Sequence, residues 1–288
     1  MGGHHPDLSK RLAQPLVRYG VPLSVMGLLL KGGLHRSMLE AALLAPLVVL
    51  LMVLLVSVVL RGGPWLQTPA LRLGCCIGNT AYFGVPLALA FLPAEALPIT
   101  IGYDLGATLT TWSVGPLLLA GTSSGSVVVL KGLFASLLNS PASRGLMGAL
   151  LVQWTPWQAA LAELLWWPSR LVMLLALGVV GLRLGALSRH RGLLRPLGSE
   201  LLPALVGKLL VFPAALLLLG LVLRFDPLLI RALVLQGAAP TAISVLLIAE
   251  AVDRDQAHAA GLVFWSTVAA LVIAPIWGLL LPVLTPAL

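Results

Sequence analysis

Gly78-Asn79-Thr80-Ala81-Tyr82-Phe83-Gly84-Val85-Pro86 and Gln236-Gly237-Ala238-Ala239-Pro240-Thr241 are the two stretches whose reading decides the fold. Each sits inside an apolar run long enough for a membrane helix, and each is poorly suited to one. Proline removes a backbone donor and its ring clashes with the preceding turn, and glycine loosens the helix. The reading is therefore two helices that break part-way through a membrane. Unwound backbone at that depth is tolerable only inside protein or against a wet cavity. One kinked helix would carry little weight, because proline kinks are common in membrane helices. Two interruptions at matching places, one bearing the polar Asn79, point to a built feature.

The rest of the chain agrees that lipid is its solvent. Hydrophobic residues make up 59% of the 288 and charged residues 10%, against about 25% charged in a soluble domain. Mean hydropathy is +1.02. A water-soluble enzyme is excluded. The 21 prolines and 29 glycines exclude a bundle of uninterrupted helices. The net charge of +8 reads as lysine and arginine at cytoplasmic helix ends, with no nucleic-acid partner. Cys75 and Cys76 are adjacent in an apolar run and build no disulfide framework.

About 20 apolar residues cross a bilayer as helix. Charges and turn residues cut the chain into nine such spans: 12–30, 39–60, 71–92, 97–120, 139–155, 160–183, 201–223, 229–249 and 258–284. The fold class is an all-α integral membrane protein. Arg183, Arg189, Arg191 and Arg195 place the loop 184–200 in the cytoplasm. Alternation then puts the N-terminus inside and the C-terminus outside, in a multi-pass cell-membrane protein. The first ten residues have no apolar core and are not a signal peptide; their paired histidines read as a tail, not a metal site.

Shifting the chain by 159 residues aligns Arg72 with Arg231, Gly78 with Gly237, Gly102 with Gly261 and Pro116 with Pro275. By the topology above the matching spans run in opposite directions. Inverted repeats with interrupted helices mark secondary transporters whose site lies at mid-membrane.

At this point the residues resemble a family. Gly78 through Leu87 resembles the fourth-helix signature of the auxin efflux carrier family. Ala238-Ala239-Pro240-Thr241-Ala242-Ile243-Ser244, with Ala249-Glu250 after it, resembles the ninth helix, Lys208 through Pro213 the entry to the eighth, and Asn139-Ser140-Pro141 the start of the sixth. The resemblance runs from about residue 8 to 284. It implies one membrane transporter domain over 1–288, with two crossed broken helices. A scaffold part would cover about 11–35 and 139–190, and a transport part about 37–121 and 197–285. It implies ten helices, so the first span here would correspond to helix two and the first helix would be absent. It implies a small organic anion as substrate, a carboxylate or an auxin-like weak acid, and dimer contact through the scaffold. We expect a homodimer through spans 12–30 and 160–183.

The expected substrate contacts are Asn79, Thr80, Tyr82, Gly84, Pro86, Gln236, Pro240, Thr241 and Ser244, where the family often has asparagine at the last position. Asp104 is a candidate for proton or ion coupling, the other reading being a wet carboxylate near the outer interface. Glu250 reads as a solvated cytoplasmic group, with coupling as the second possibility. Arg18, Lys208 and Arg231 read as snorkelling from helix ends. Gly102-Tyr-Asp-Leu-Gly106 and the pair Gly74 and Gly78 are small-xxx-small patterns that mark close helix packing. Trp65, Trp154, Trp157, Trp166 and Trp167 read as interfacial anchors. Gly121-Thr-Ser-Ser-Gly125 matches a nucleophile elbow, which needs a preceding strand and a histidine; no histidine lies in a neighbouring span, and a polar loop is the reading. No Walker motif or metal-ligand cluster occurs, so neither a cofactor nor a metal is expected. Two rivals remain: a shortened non-transporting homologue acting as partner or regulator, and a sodium-coupled symporter of the bile-acid type.

Overall fold

The computed structural model describes residues 15–59, 66–120, 141–189 and 198–285. The N-terminal tail, Trp65, Gly121 through Ser140, Arg191, Arg195 and Leu288 lie outside them. Among the described residues the chain makes nine helical stretches, two of them broken, and no strand. The two broken ones begin alike. Thr68 accepts from Leu71 N ahead of Pro69, and Asp226 accepts from Leu228 N and Leu229 N ahead of Pro227. A capping side chain followed by proline, whose missing N–H costs nothing in the first turn, is a strong helix start.

In chain order the helices are α1 (Val21–Gly32), α2 (Arg36–Val59), α3 (Pro69–Gly74), α4 (Val85–Phe91), α5 (Leu97–Ala120), α6 (Pro141–Gln153), α7 (Gln158–Arg189), α8 (Leu202–Val206), α9 (Phe212–Val222), α10 (Pro227–Gly237), α11 (Ile243–Ala251) and α12 (Gln256–Leu284). The expected spans 71–92 and 229–249 are the two passages broken into α3 with α4 and α10 with α11. Among the described residues three helical stretches are long and apolar enough to cross a membrane: Arg36–Ser57, Leu202–Val222, which runs through the π-turn at 207–211, and Gln256–Leu284.

Three π-turns precede α1, α4 and α9, at Leu16–Gly20, Thr80–Gly84 and Gly207–Val211. In each, the residue just before a proline bonds five residues back: Val21 N to Leu16 O, Val85 N to Thr80 O, Phe212 N to Gly207 O. Each wide turn ends just ahead of a proline, Pro22, Pro86 or Pro213, which suits it without by itself requiring it, since Pro46 and Pro116 sit inside α2 and α5 with no such turn. A proline clashes with the carbonyl four residues earlier, and a widened turn moves that carbonyl aside. Two of the three freed carbonyls find side-chain donors: Arg144 donates to Arg18 O at 2.8 Å, and Trp277 Nε1 to Leu209 O at 3.0 Å.

Two apolar clusters hold the helices together. The larger gathers α2, α3, α5 and the helices from α8 to α12. The smaller gathers α1, α6, α7, Val85 of α4 and the start of α5. Helices α2 and α5 touch through backbone. A side chain on Gly102 would overlap Met38 O, and one on Gly106 would overlap Ala42 O, the carbonyl that Pro46 leaves unbonded. The expected small-residue packing of Gly102 and Gly106 is therefore present, where backbone meets backbone.

The outer surface is apolar. Leu39, Leu43, Leu47, Leu51 and Leu54 are all exposed on α2, and Leu271, Leu279 and Val283 on α12. Trp154, Trp157 and Trp167 are 83%, 68% and 69% exposed around the junction of α6 and α7. Arg170 stacks over Trp166 and Trp167 at 5.3 and 5.2 Å. A soluble fold of this size would bury such side chains; this is the surface of a membrane protein. Arg231, expected to snorkel, instead donates to Thr285 Oγ1 and Thr285 O at 2.8 and 2.6 Å. It caps the carboxyl end of α12, where a cation is favoured by the helix dipole.

Candidate site at the crossing of the broken helices

The two chain breaks pass each other and pair. Gly78 stands opposite Thr241 in an antiparallel bridge, 163 residues on. Asn79 N donates to Pro240 O at 2.7 Å, and Ala242 N to Ile77 O at 3.1 Å. These bonds exchange with each other if each residue is matched to the one 163 later. The register at the crossing is therefore 163, not the 159 of the glycine and arginine alignment. Helix α10 has 11 residues against 6 in α3, and the segment after the first break is longer than α11. The two differences offset each other, so helices α5 and α12 still start 159 apart.

Each break leaves a half-helix whose last carbonyls lack partners. Gly74 O, ending α3, accepts from Thr241 Oγ1 at 2.9 Å. Gly237 O, ending α10, accepts from Lys208 Nζ at 2.5 Å. Lys208 is fully buried, 4.7 Å above the ring of Phe212. Its expected snorkelling does not occur. It stands about a turn and a half into its passage, at the π-turn, and its amine reaches the crossing. The local twofold pairs Thr241 with Gly78, which has no hydroxyl to offer Gly237. The amine fills that gap: a side chain placed on Gly78 would begin 3.2 Å from Lys208 Nζ.

Around the bridge the structure gathers most of the residues expected at the site. The carbonyl of Asn79 accepts from Phe83 N and Gly84 N, both at 3.1 Å, and starts the π-turn. Its side-chain Nδ2 is buried without a partner. Gln236 is fully buried in the last turn of α10. Its Nε2 donates to Thr100 O at 3.3 Å, and its Oε1 has no partner. Gly84 makes room for it, since any side chain there would overlap the Gln236 carboxamide. Pro86 is buried in the first turn of α4, Tyr82 is half-buried in the π-turn, and Ser244 is half-buried in the first turn of α11. The Thr241 hydroxyl is occupied by Gly74 O, and Thr241 N donates to Ser266 Oγ at 3.0 Å.

Asp104 is 4% exposed and accepts from Thr80 Oγ1 at 2.5 Å. The wet reading of this carboxylate is thereby replaced by a buried one. Among the described residues no basic group forms an ion pair with it. Glu250 is exposed in the last turn of α11, outside the buried polar set. Sequence reasoning placed Lys208 at a helix end; the signal that could have moved it to the crossing is Gly78, which leaves space beside its amine.

Residues 172–278 match a family described as membrane transport protein. The match covers 107 of the 288 residues. It takes in Lys208 and the whole second break, and stops short of Asn79, Thr80 and Asp104. No curated protein matches the chain.

Proposed function

We propose that the chain is a secondary-active carrier of a small organic anion, a carboxylate or auxin-like weak acid, held where the two broken helices cross. The observation that carries this reading is the antiparallel bridge between Gly78 and Thr241. Two helices broken at the same depth and running oppositely are what an inverted repeat supplies, and such crossings hold substrates at mid-membrane. The first turns of both second halves carry backbone N–H groups without helical partners, and the helix dipole favours an anion there. Asn79 Nδ2 and Gln236 Oε1, buried and unpartnered, would complete the substrate's hydrogen bonds, with Thr80, Tyr82, Ser244 and the backbone at Gly84, Pro86, Pro240 and Thr241 around it. Asp104, a buried carboxyl hydrogen-bonded by Thr80, is the proton carrier in this reading; Glu250 has no part.

The scaffold is the body built on the smaller cluster, with α1, α6 and α7. The transport part is the body built on the larger. Leu164, Trp167, Leu171 and Leu174 form an exposed stripe on α7 and would meet a second copy or lipid. Nine crossings, with the N-terminus inside and the C-terminus outside, complete the proposal. Single-cysteine cross-linking along that stripe tests the dimer.

Uptake of labelled carboxylates into proteoliposomes, at several pH values, tests the carrier. Pro240→Ala restores a backbone donor at the break and should lower uptake at least about tenfold, a change of 1.4 kcal/mol in barrier. Uptake unchanged by Pro240→Ala would move the substrate away from the crossing.

A further inference from the structure

A buried ammonium is costly unless something answers its charge. Lys208 has three donors, and the one bond it makes at the crossing is to Gly237 O. Among the described residues no carboxylate pairs with it. What it does have is a half-helix carboxyl end, where the dipole is negative, and the face of Phe212, which attracts a cation. Unwound carbonyls and half-helix carboxyl ends are the ligands that hold coupling cations in broken-helix transporters. At the other break the corresponding carbonyl, Gly74 O, takes a neutral hydroxyl. Among the described residues a cation is thus supplied to one break and not to the other.

We infer that Lys208 is a tethered cation. Its ammonium occupies the place at the carboxyl end of α10 that a soluble cation would otherwise take, and gives the crossing the positive charge an anionic substrate needs. This deepens the reading of the crossing as the transport site and rests on it. It also separates the chain physically from a sodium-coupled symporter: a cation on a lysine stem stays with the protein and carries no ion gradient into the cycle.

The test uses the purified full-length chain in detergent, with thermal unfolding followed by tryptophan fluorescence. Sodium chloride, methylammonium chloride and choline chloride are compared at equal ionic strength. The wild type should melt at one temperature in all three. Lys208→Ala should melt lower in choline chloride and recover by about 3 °C or more in sodium or methylammonium chloride, with saturation. Lys208→Arg keeps the charge and should stay indifferent to the salt. A wild type stabilised by sodium over choline overturns the inference, and so does a Lys208→Ala that ignores all three cations. Lys208→Met, which fills the space without charge, gives a second arm: wild-type uptake by that variant also overturns it. Melting reads the cation and not the substrate. Failure here leaves the carrier reading standing, and failure of Pro240→Ala to lower uptake leaves the salt response interpretable.

Discussion

At the first break the carbonyl that ends the entering half-helix, Gly74 O, takes a hydroxyl from Thr241 of the opposite break. At the second, Gly237 O takes the amine of Lys208, from a third passage of the chain. The backbone pairing is shared by both, since one exchanged pair of bonds joins them. The side chains differ at every paired position: Asn79 faces Ala242 across the twofold, Ile77 faces Pro240, and Gly78 faces Thr241. A symmetric pair of backbone bonds solves the problem of crossing, and the asymmetric side chains decide what each end can hold. One end is neutral and self-contained. The other needs help from outside the pair, and that help brings charge.

The comparison breaks most severely if the missing side chain is supplied. Gly78→Thr would copy the second break onto the first but would meet Lys208 Nζ. Overpacking of this kind costs about 3 kcal/mol at the upper end, read as a lowered melting temperature. Combining it with Lys208→Ala should recover most of the loss, because the new hydroxyl then serves Gly237 O. No recovery in the double variant would mean that the two ends are not interchangeable.

Thr241→Val attacks the neutral end. It leaves Gly74 O buried without its donor and should cost about 2 kcal/mol. An unchanged melting temperature would show that the hydroxyl does not hold the crossing. Asn79→Ala sharpens the contrast with Ala242. Its Nδ2 has no partner to lose, so stability should change by less than about 1 kcal/mol. Anion affinity of the folded fraction should fall about tenfold. A large loss of stability with affinity intact would make Asn79 a brace. The smallest effect belongs to Glu250→Gln, at an exposed site beyond the second break: within about 0.5 kcal/mol in stability and near-normal uptake. A strong uptake defect there would return Glu250 to the coupling machinery.

Much of this was legible in the sequence because lipid enforces it. Charges are costly in the hydrocarbon, so the gaps between them marked helical stretches, and the ends that fall among the described residues agree within a few residues except at Arg189. Pro240 and the glycines around Asn79 marked the breaks because no helix can run through them undisturbed. The register was not legible. Arg72 and Gly78 match Arg231 and Gly237 by position only, and the real pairing is made by backbone N–H and carbonyl groups, which leave no trace in residue identity. Lys208 was misread because a lone lysine near the start of an apolar passage looks like an interfacial one. Its burial depends on space left by Gly78, some 130 residues away. Asp104 stood between two readings, and only its contact with Thr80 decides between them.

The three π-turns have a consequence for how the chain can change length. Each carries one residue more than an α-helix of the same rise would need. Because a helix turns about 100° per residue, that extra residue sets which face α1, α4 and α9 present. A one-residue deletion elsewhere in these helices would rotate everything beyond it out of its contacts. Within 16–20, 80–84 or 207–211, a deletion made together with replacement of Pro22, Pro86 or Pro213 would convert the wide turn to an ordinary one. Because a proline closes each wide turn, length and composition at these sites are tied: indels should be tolerated there best as a matched pair with the proline.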